Sequence, residues 1–432
     1  MKPHPLFDTY QAFRALVGEP GLPEGVVGGE ETYIAERPSI DAYLESMRPE
    51  VRARDDFALV RDFLESYSRV ETTFRSYRTQ VERLMLWSWI KAGKSVLDLT
   101  RTDAERFILF CESPDPEWVS NSARKRFKSK DGLIVPNPLW RPFAHVATKE
   151  DRKLVQEGHM DDAVGVALSN SSLRQAFVIC ASFYDHLASN HTDVGNPFRA
   201  IKQKSQLFQR STEIRTSKAL TKLQWDFVLE TAELMATEDP YRHERTLFIL
   251  VTLFSMYLRI SDLVGNQRWV PKMNSFRREG NNWWFYVNGK GNKLARISVR
   301  TKYLAYLMRY RRSRNLSPLP AGSDDSPLLV SLSGKPGLTD RHVREIVQQV
   351  FDRALSRMQK QGFEETELDS LRRVSLHWLR HTSATFDARL RDMKHLQSDL
   401  RHDRLSTTSD IYYNTHDEER AQSAANLDIA VR

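Results

Sequence analysis

Cysteine is scarce in this chain, with only Cys111 and Cys180 in 432 residues. Both lie in apolar stretches, so they read as reduced core residues of an intracellular protein, and a disulfide framework is excluded. There is no apolar run long enough to span a bilayer, since the greasiest stretch, 247–258, is short and interrupted. The opening MKPHPLFDTYQAF has no apolar leader segment, so a cytoplasmic protein with no membrane partner is expected. Also missing are a Gly-x-x-x-x-Gly-Lys-Ser/Thr phosphate loop, any Cys/His metal spacing and a carboxylate cluster of the two-metal kind. No cofactor and no metal are therefore expected, and any chemistry must come from side chains alone.

What the chain has in surplus is positive charge, 64 Lys and Arg against 56 Asp and Glu, a net +8. That surplus favours a polyanionic partner without identifying it. With 40% hydrophobic residues over this length, two domains plus extensions are expected.

The last third carries Arg259, Lys290, His377, Arg380, His402 and Tyr412. Two forked guanidiniums can hold the two non-bridging oxygens of a phosphate; lysine and histidine can move protons; tyrosine can be the nucleophile. Arg259 ends FILVTLFSMYLRISDL, 248–263, which is apolar on nearly every face and predicts a helix inside a core. Asp262, three residues on, is placed to brace the guanidinium; a buried structural Arg–Asp pair is the plain alternative. Lys290 sits in NNWWFYVNGKGNKLARISV, where a Gly-Lys-Gly-Asn turn joins strands expected at 283–287 and 294–299. Most turn lysines are merely solvated, and Lys293 competes for any role. In SLHWLRHTSATF, His377 and Arg380 share one face of a helix that Ser375 can cap, with His381 a third of a turn away. In DLRHDRLSTTSDIYYNTHDEE, His402 precedes a short polar helix start, and of the adjacent Tyr412 and Tyr413 only one can face a given phosphate.

In order and wording, YLRISDL, GKGNKLARISV, LHWLRHTSATF and HDRLSTTSDIY resemble the tyrosine recombinase (phage integrase) family, whose forms run close to LRISEL, GKGNKxR, HxLRHTxAT and GH followed by STT and Y. The resemblance spans about residues 215 to 420. It implies that Arg259 and Arg380 are the two catalytic arginines, Lys290 the hairpin lysine, His377 and His402 the two histidines and Tyr412 the nucleophile, with Asp262 and His381 in support. The sequence departs from the pattern at Tyr257 and Arg401, each where a glycine is usual; neither change removes a catalytic side chain.

The resemblance further implies a mainly α fold with a small antiparallel sheet, in which a helical core-binding domain and a mixed helical catalytic domain together clamp double-stranded DNA. Tyr412 would form a 3′-phosphotyrosyl bond and release a 5′-hydroxyl. A second 5′-hydroxyl would then rejoin the strands, and paired sites would be exchanged by a homotetramer through a Holliday junction, without metal or nucleotide. Integration, excision or resolution of a mobile element would be the biological setting, with accessory DNA-bending proteins or a partner recombinase as further partners and a nucleoid-associated location. The alternatives are a type IB topoisomerase, which uses a similar site as a monomer, and a non-catalytic DNA-binding accessory subunit.

The expected division is an N-terminal arm or cap over 1–52, the helical domain over 53–205 with an insertion at 112–168, a basic linker over 206–222, the catalytic domain over 223–416, and a C-terminal segment, 417–432, that docks on its own domain or on a neighbouring protomer. Helical periodicity marks 53–66, 73–93, with Phe74, Tyr77, Val81, Leu84 and Met85 on one side, and 171–190. Arg124, Lys125, Arg126 and Lys128 in the insertion, and Lys202, Lys204, Arg215 and Lys218 around the linker, are the candidate phosphate contacts; a solvated basic surface is the alternative.

Overall fold

The computed structural model of the protein describes residues 1–17, 33–34, 37–68, 70–130, 133–144, 168–190, 194–201, 219–266, 269–288, 294–409, 412 and 425. The chain divides into two compact units, Met1–Glu213 and Ile214–Arg432. Helices dominate both, and the largest sheet among the described residues has three antiparallel strands. The fold is therefore mainly α with a small antiparallel sheet, as expected. No helix among the described residues is long and apolar enough to cross a membrane.

In the first unit the helices Ala53–Glu65, Glu71–Trp87 and Asn170–Asn190 bury Phe63, Phe74, Val81, Leu84, Met85 and Phe183 in one core. The N-terminal segment, expected as an arm or cap over 1–52, packs on these helices where it is described. Leu6, Phe7, Tyr10 and Phe13 belong to that same core, and Tyr10–Val17 is a helix. Glu82, buried on the helix Glu71–Trp87, explains the docking: one carboxylate oxygen accepts the backbone N–H groups of Leu6 at 2.8 Å and Phe7 at 3.2 Å. The other oxygen meets the Arg126 guanidinium, whose Nε donates to the Phe7 carbonyl at 2.7 Å. A buried carboxylate supplies partners to a chain segment that would otherwise lose its hydrogen bonds with water.

The insertion contributes an antiparallel hairpin, Phe127–Lys130 with Leu133–Pro136, in which Lys128 is opposite Val135. Cys111 and Cys180 are both buried free thiols, and burial pushes each thiol pKa upward, Cys111 to about 12.

The second unit is built on the helices Lys222–Glu238 and Pro240–Ser255. Thr221 and Gln224 form a reciprocal cap on the first, and Asp239 caps the second with proline at its first position. From Leu247 to Ser255 every residue of the second helix is buried, so the prediction of a core helix holds there. It fails at the C-terminal end. The helix stops at Ser255, Tyr257 turns left-handed with φ 51°, and a new short helix, Ile260–Val264, begins with Arg259 at its N-cap. Met256, Tyr257 and Leu258 are all buried, so hydrophobic patterning has no signal for the break. Gly265, at φ 82°, ends the short helix where an added Cβ would lie 2.5 Å from the Trp269 carbonyl oxygen. The sheet follows: Phe276–Glu279, Asn282–Asn288 and Leu294–Ser298, with Trp284 opposite Ser298 and Phe285 opposite Ile297. Further helices include Leu376–Ala388, Met393–Leu400 and Leu405–Thr408.

Candidate active site

Arg259 stands at the N-cap of the short helix, where its own backbone N–H donates to Asp262 Oδ2 at 2.8 Å. The residue is exposed and lines an open cleft with Arg401, His402, Asp403, Arg404 and Thr407. Asp262 was expected to brace the Arg259 guanidinium. The structure corrects this: the Asp262 carboxylate takes the Arg259 backbone, and both of its oxygens face the guanidinium of Arg401, with Nη1 at 3.0 Å from Oδ1 and Nη2 on Oδ2. At the N-terminus of a helix of only five residues a carboxylate has its own backbone N–H to cap, which competes with any side-chain partner.

Arg380 is 3% exposed on the helix Leu376–Ala388. Its Nη1 donates to the Tyr257 carbonyl and its Nη2 to the Leu400 carbonyl, so one guanidinium ties the turn before Arg259 to the turn before His402. Burial, and then repulsion from Arg259, lowers its pKa to about 10, which leaves it cationic at neutral pH. His377, one turn earlier, is exposed, so the pair does not share the half-buried setting expected of it. Ser375 occupies the N-cap position of this helix but makes no capping hydrogen bond with its side chain.

The helix Met393–Leu400 ends at Arg401, left-handed at φ 55°, which turns His402 into the cleft region. His402 is half-buried, and its Nδ1 lies 3.0 Å from the hydroxyl of fully buried Thr408. Its main chain is held as well, by Gln397 Nε2 donating to the His402 carbonyl at 3.0 Å. Burial and the cations of Arg380 and Arg259 push its pKa down to about 4, so the imidazole is neutral at pH 7.

Tyr412 is 1% exposed, packed with Tyr257, Ala384, Ala388, Leu396 and Leu400 in a small cluster. Its ring stacks on His402 at 6.2 Å between centroids with 5° between the planes, and its hydroxyl lies 3.1 Å from His381 Nδ1. Burial raises the phenol pKa while the Arg380 and Arg259 cations pull it down, so the phenol is held protonated beside two cations that would stabilise its anion. His381 thus touches Tyr412 directly, and its ring also meets that of His377 edge-on at 4.7 Å.

Arg259, Arg380, His402 and Tyr412 are therefore brought together with Asp262 and His381, and His377 joins through His381. Lys290, its competitor Lys293, and Tyr413 lie outside the described residues, as do Lys202, Lys204, Arg215, Lys218 and nearly all of 417–432. Arg124, Lys125 and Lys128 are exposed at or beside the insertion hairpin. Arg126 is corrected: it points inward to Glu82, its side chain 12% exposed, and stacks over Trp140 at 4.7 Å. Arg126 stands just before the strand Phe127–Lys130, and its inward direction goes with the buried Glu82 carboxylate and the Phe7 carbonyl that it binds. Reasoning from sequence missed the roles of Tyr257, Thr408 and Arg401. Two of the three carried a signal, because Tyr257 and Arg401 stand where the resembling motifs have glycine, and both are left-handed.

No protein-family model and no curated protein sequence matches the chain. Solved structures do. The post-cleavage complex of XerH site-specific recombinase bound to palindromic difH substrate is 14% identical, with 99% of each chain covered and a TM-score of 0.54. The pre-cleavage complex of XerH with difH is 15% identical over 99% of each chain, with a TM-score of 0.49. The Tn1549 transposon integrase in complex with circular intermediate DNA is 16% identical over 84% of this chain and 97% of that one, with a TM-score of 0.48. At such identity the likeness to the first of these is one of fold alone, and it agrees with the fold that the motifs led us to expect.

Proposed function

We propose that this chain breaks and rejoins double-stranded DNA through a phosphotyrosine, as a site-specific recombinase. The observation that carries the reading is the buried Tyr412 phenol, stacked on a neutral His402, hydrogen-bonded to His381 and facing the charges of Arg380 and Arg259. A tyrosine whose only job is packing has no need of an imidazole at its hydroxyl, a second imidazole parallel to its ring and two cations acting on its charge.

In this reading a scissile phosphate enters the cleft beside Arg259 and His402. The two guanidiniums and the His402 imidazole stabilise the charge that grows on the non-bridging oxygens in the pentavalent transition state, where fixed donors gain most. The Tyr412 oxygen attacks phosphorus as its proton passes to His381 Nδ1, which lies within hydrogen-bond distance of it. The bond from phosphorus to the 5′-oxygen breaks, and Lys290 protonates that oxygen to leave a 5′-hydroxyl. The phosphotyrosyl bond keeps the energy of the broken phosphodiester, so a 5′-hydroxyl from a partner duplex can rejoin the strands without nucleotide or metal. Assembly of four copies on paired sites, exchange through a Holliday junction and service to a mobile element complete the reading. XerH site-specific recombinase, similar in fold, is bound to its palindromic difH substrate, which supports DNA as the substrate here.

The test is denaturing-gel detection of a covalent protein–DNA adduct on nicked duplexes from DNA flanking the gene, with Tyr412→Phe and Tyr413→Phe beside the wild type. Adduct lost in Tyr412→Phe alone is expected. Loss in Tyr413→Phe alone moves the nucleophile by one residue, and tight specific binding with no adduct from any variant points to an accessory DNA-binding protein.

A further inference from the structure

Asp262 is 4% exposed and serves two masters. Oδ2 accepts the backbone N–H of Arg259 at 2.8 Å, and the two oxygens together receive the two terminal nitrogens of Arg401, a residue 139 positions away in sequence. A two-point grip between a planar fork and a carboxylate fixes angle as well as distance, which a lysine at the same place does not.

The backbone of Arg401 sharpens the point. It is left-handed, φ 55° and ψ 47°, and its N–H caps the helix Met393–Leu400 on the Gln397 and Ser398 carbonyls. Glycine adopts this conformation freely, whereas a residue with a Cβ is strained in it. Here that strain is accompanied by a side chain bound at two points to a buried carboxylate. That side chain spans the two turns that Arg380 also bridges, since Arg380 binds the carbonyls of Tyr257 and Leu400 while Arg401 binds the carboxylate beside Arg259. Arg401 also lines the cleft with Arg259 and His402. With the Asp262 charge matched by Arg401, the charge of Arg259 is left for an incoming phosphate.

We propose that Arg401 is a positioning residue: through its grip on Asp262 it locks the turn carrying Arg259 to the turn carrying His402, so that both meet one phosphate in a fixed relation. The proposal rests on the reading of this site as a phosphotyrosine-forming centre, and it identifies a device that a glycine at position 401 would lack.

The experiment compares full-length wild type with Arg401→Gly, Arg401→Lys, Asp262→Asn and the Arg401→Gly/Asp262→Asn double variant. Single-turnover adduct formation on nicked duplex, DNA affinity and the thermal midpoint are measured for each. Misplacement of a phosphate clamp on the order of 1 Å lowers rates by roughly 100-fold, so Arg401→Gly should slow adduct formation by about 10- to 100-fold. Its DNA affinity should stay within about threefold. Its midpoint should fall, because Asp262 is left as a buried carboxylate without its cation and the relief of left-handed strain offsets only part of that loss; the double variant, which removes the charge as well, should recover midpoint. Arg401→Lys should recover only part of the rate, and Asp262→Asn should cost less in the Arg401→Gly background than alone. Adduct formation at the wild-type rate in Arg401→Gly, strictly additive losses, or a rate loss matched by an equal affinity loss would each overturn the proposal. If the wild type forms no adduct, the reading of the site fails, and the lock is judged by NMR from the backbone amide shifts of Arg259 and His402. Both should move in Arg401→Gly, and Arg401→Lys should restore them only in part; an unchanged Arg259 amide in Arg401→Gly overturns the lock.

Discussion

Neutralising Arg124, Lys125 and Lys128 together by glutamine is expected to flatten the salt dependence of DNA binding and leave folding stability alone, whereas Arg126→Met should do the reverse. The first three are exposed, so their loss removes no internal partner. Each phosphate contact contributes about 0.9 to the slope of log K against log salt. Three lost contacts lower the slope by about 2.7, so between 50 and 200 mM salt the wild type should lose roughly 40-fold more affinity than the triple variant. Arg126 instead pairs with Glu82, 2% exposed, and donates to the Phe7 carbonyl. Removing it leaves a buried carboxylate with two backbone donors and no cation, a loss of about 3–5 kcal/mol with the N-terminal segment loosened. Fluorescence anisotropy across a salt series and urea unfolding followed by tryptophan emission measure the two effects. A triple variant with an unchanged slope, or an Arg126→Met protein with wild-type stability and a slope reduced by about 1, would refute the reasoning.

Three other expectations follow from particular contacts. His402 titrates at about 4 when folded against an ordinary 6.5, so the folded protein binds fewer protons in that window and stability declines as pH falls through it; unfolding measured from pH 7 to 4 should show a shallower decline in His402→Gln. The Tyr257 hydroxyl donates to Asp387 and accepts from Arg391 at 3.0 Å, so Tyr257→Phe should lower stability by about 1–3 kcal/mol in urea titrations. Asp399 accepts the Ser298 N–H at 3.0 Å and pairs with Arg391 at 2.7 Å, joining the third strand of the sheet to the helix before His402; Asp399→Asn should slow adduct formation more than it weakens DNA binding, and a proportional loss of both would count against a role in placing the site.

Periodicity was enough for the helices Ala53–Glu65, Glu71–Trp87 and Asn170–Asn190, and strand alternation with a glycine turn was enough for Asn282–Asn288 and Leu294–Ser298, because those patterns record which face of each element is buried. The core placement of Leu6 and Phe7 was not legible, since it depends on Glu82, some 75 residues away, accepting their N–H groups. The same holds for Arg126: charge in a sequence marks a cation, not the direction it faces.

The chemistry of the site belongs to the sequence, because arginine, lysine, histidine and tyrosine bring their charge, basicity and nucleophilicity wherever the chain places them. Their motif order also carried the likeness to tyrosine recombinases. Tertiary structure alone decided the partnerships: that Asp262 grips Arg401 while taking only the backbone of Arg259, that Arg380 spends two donors on the carbonyls of Tyr257 and Leu400, and that Tyr412 meets His381 under a neutral His402. Each of these rests on a left-handed turn or a desolvated charge. Both are properties of how distant segments pack, and neither leaves a periodic trace along the chain.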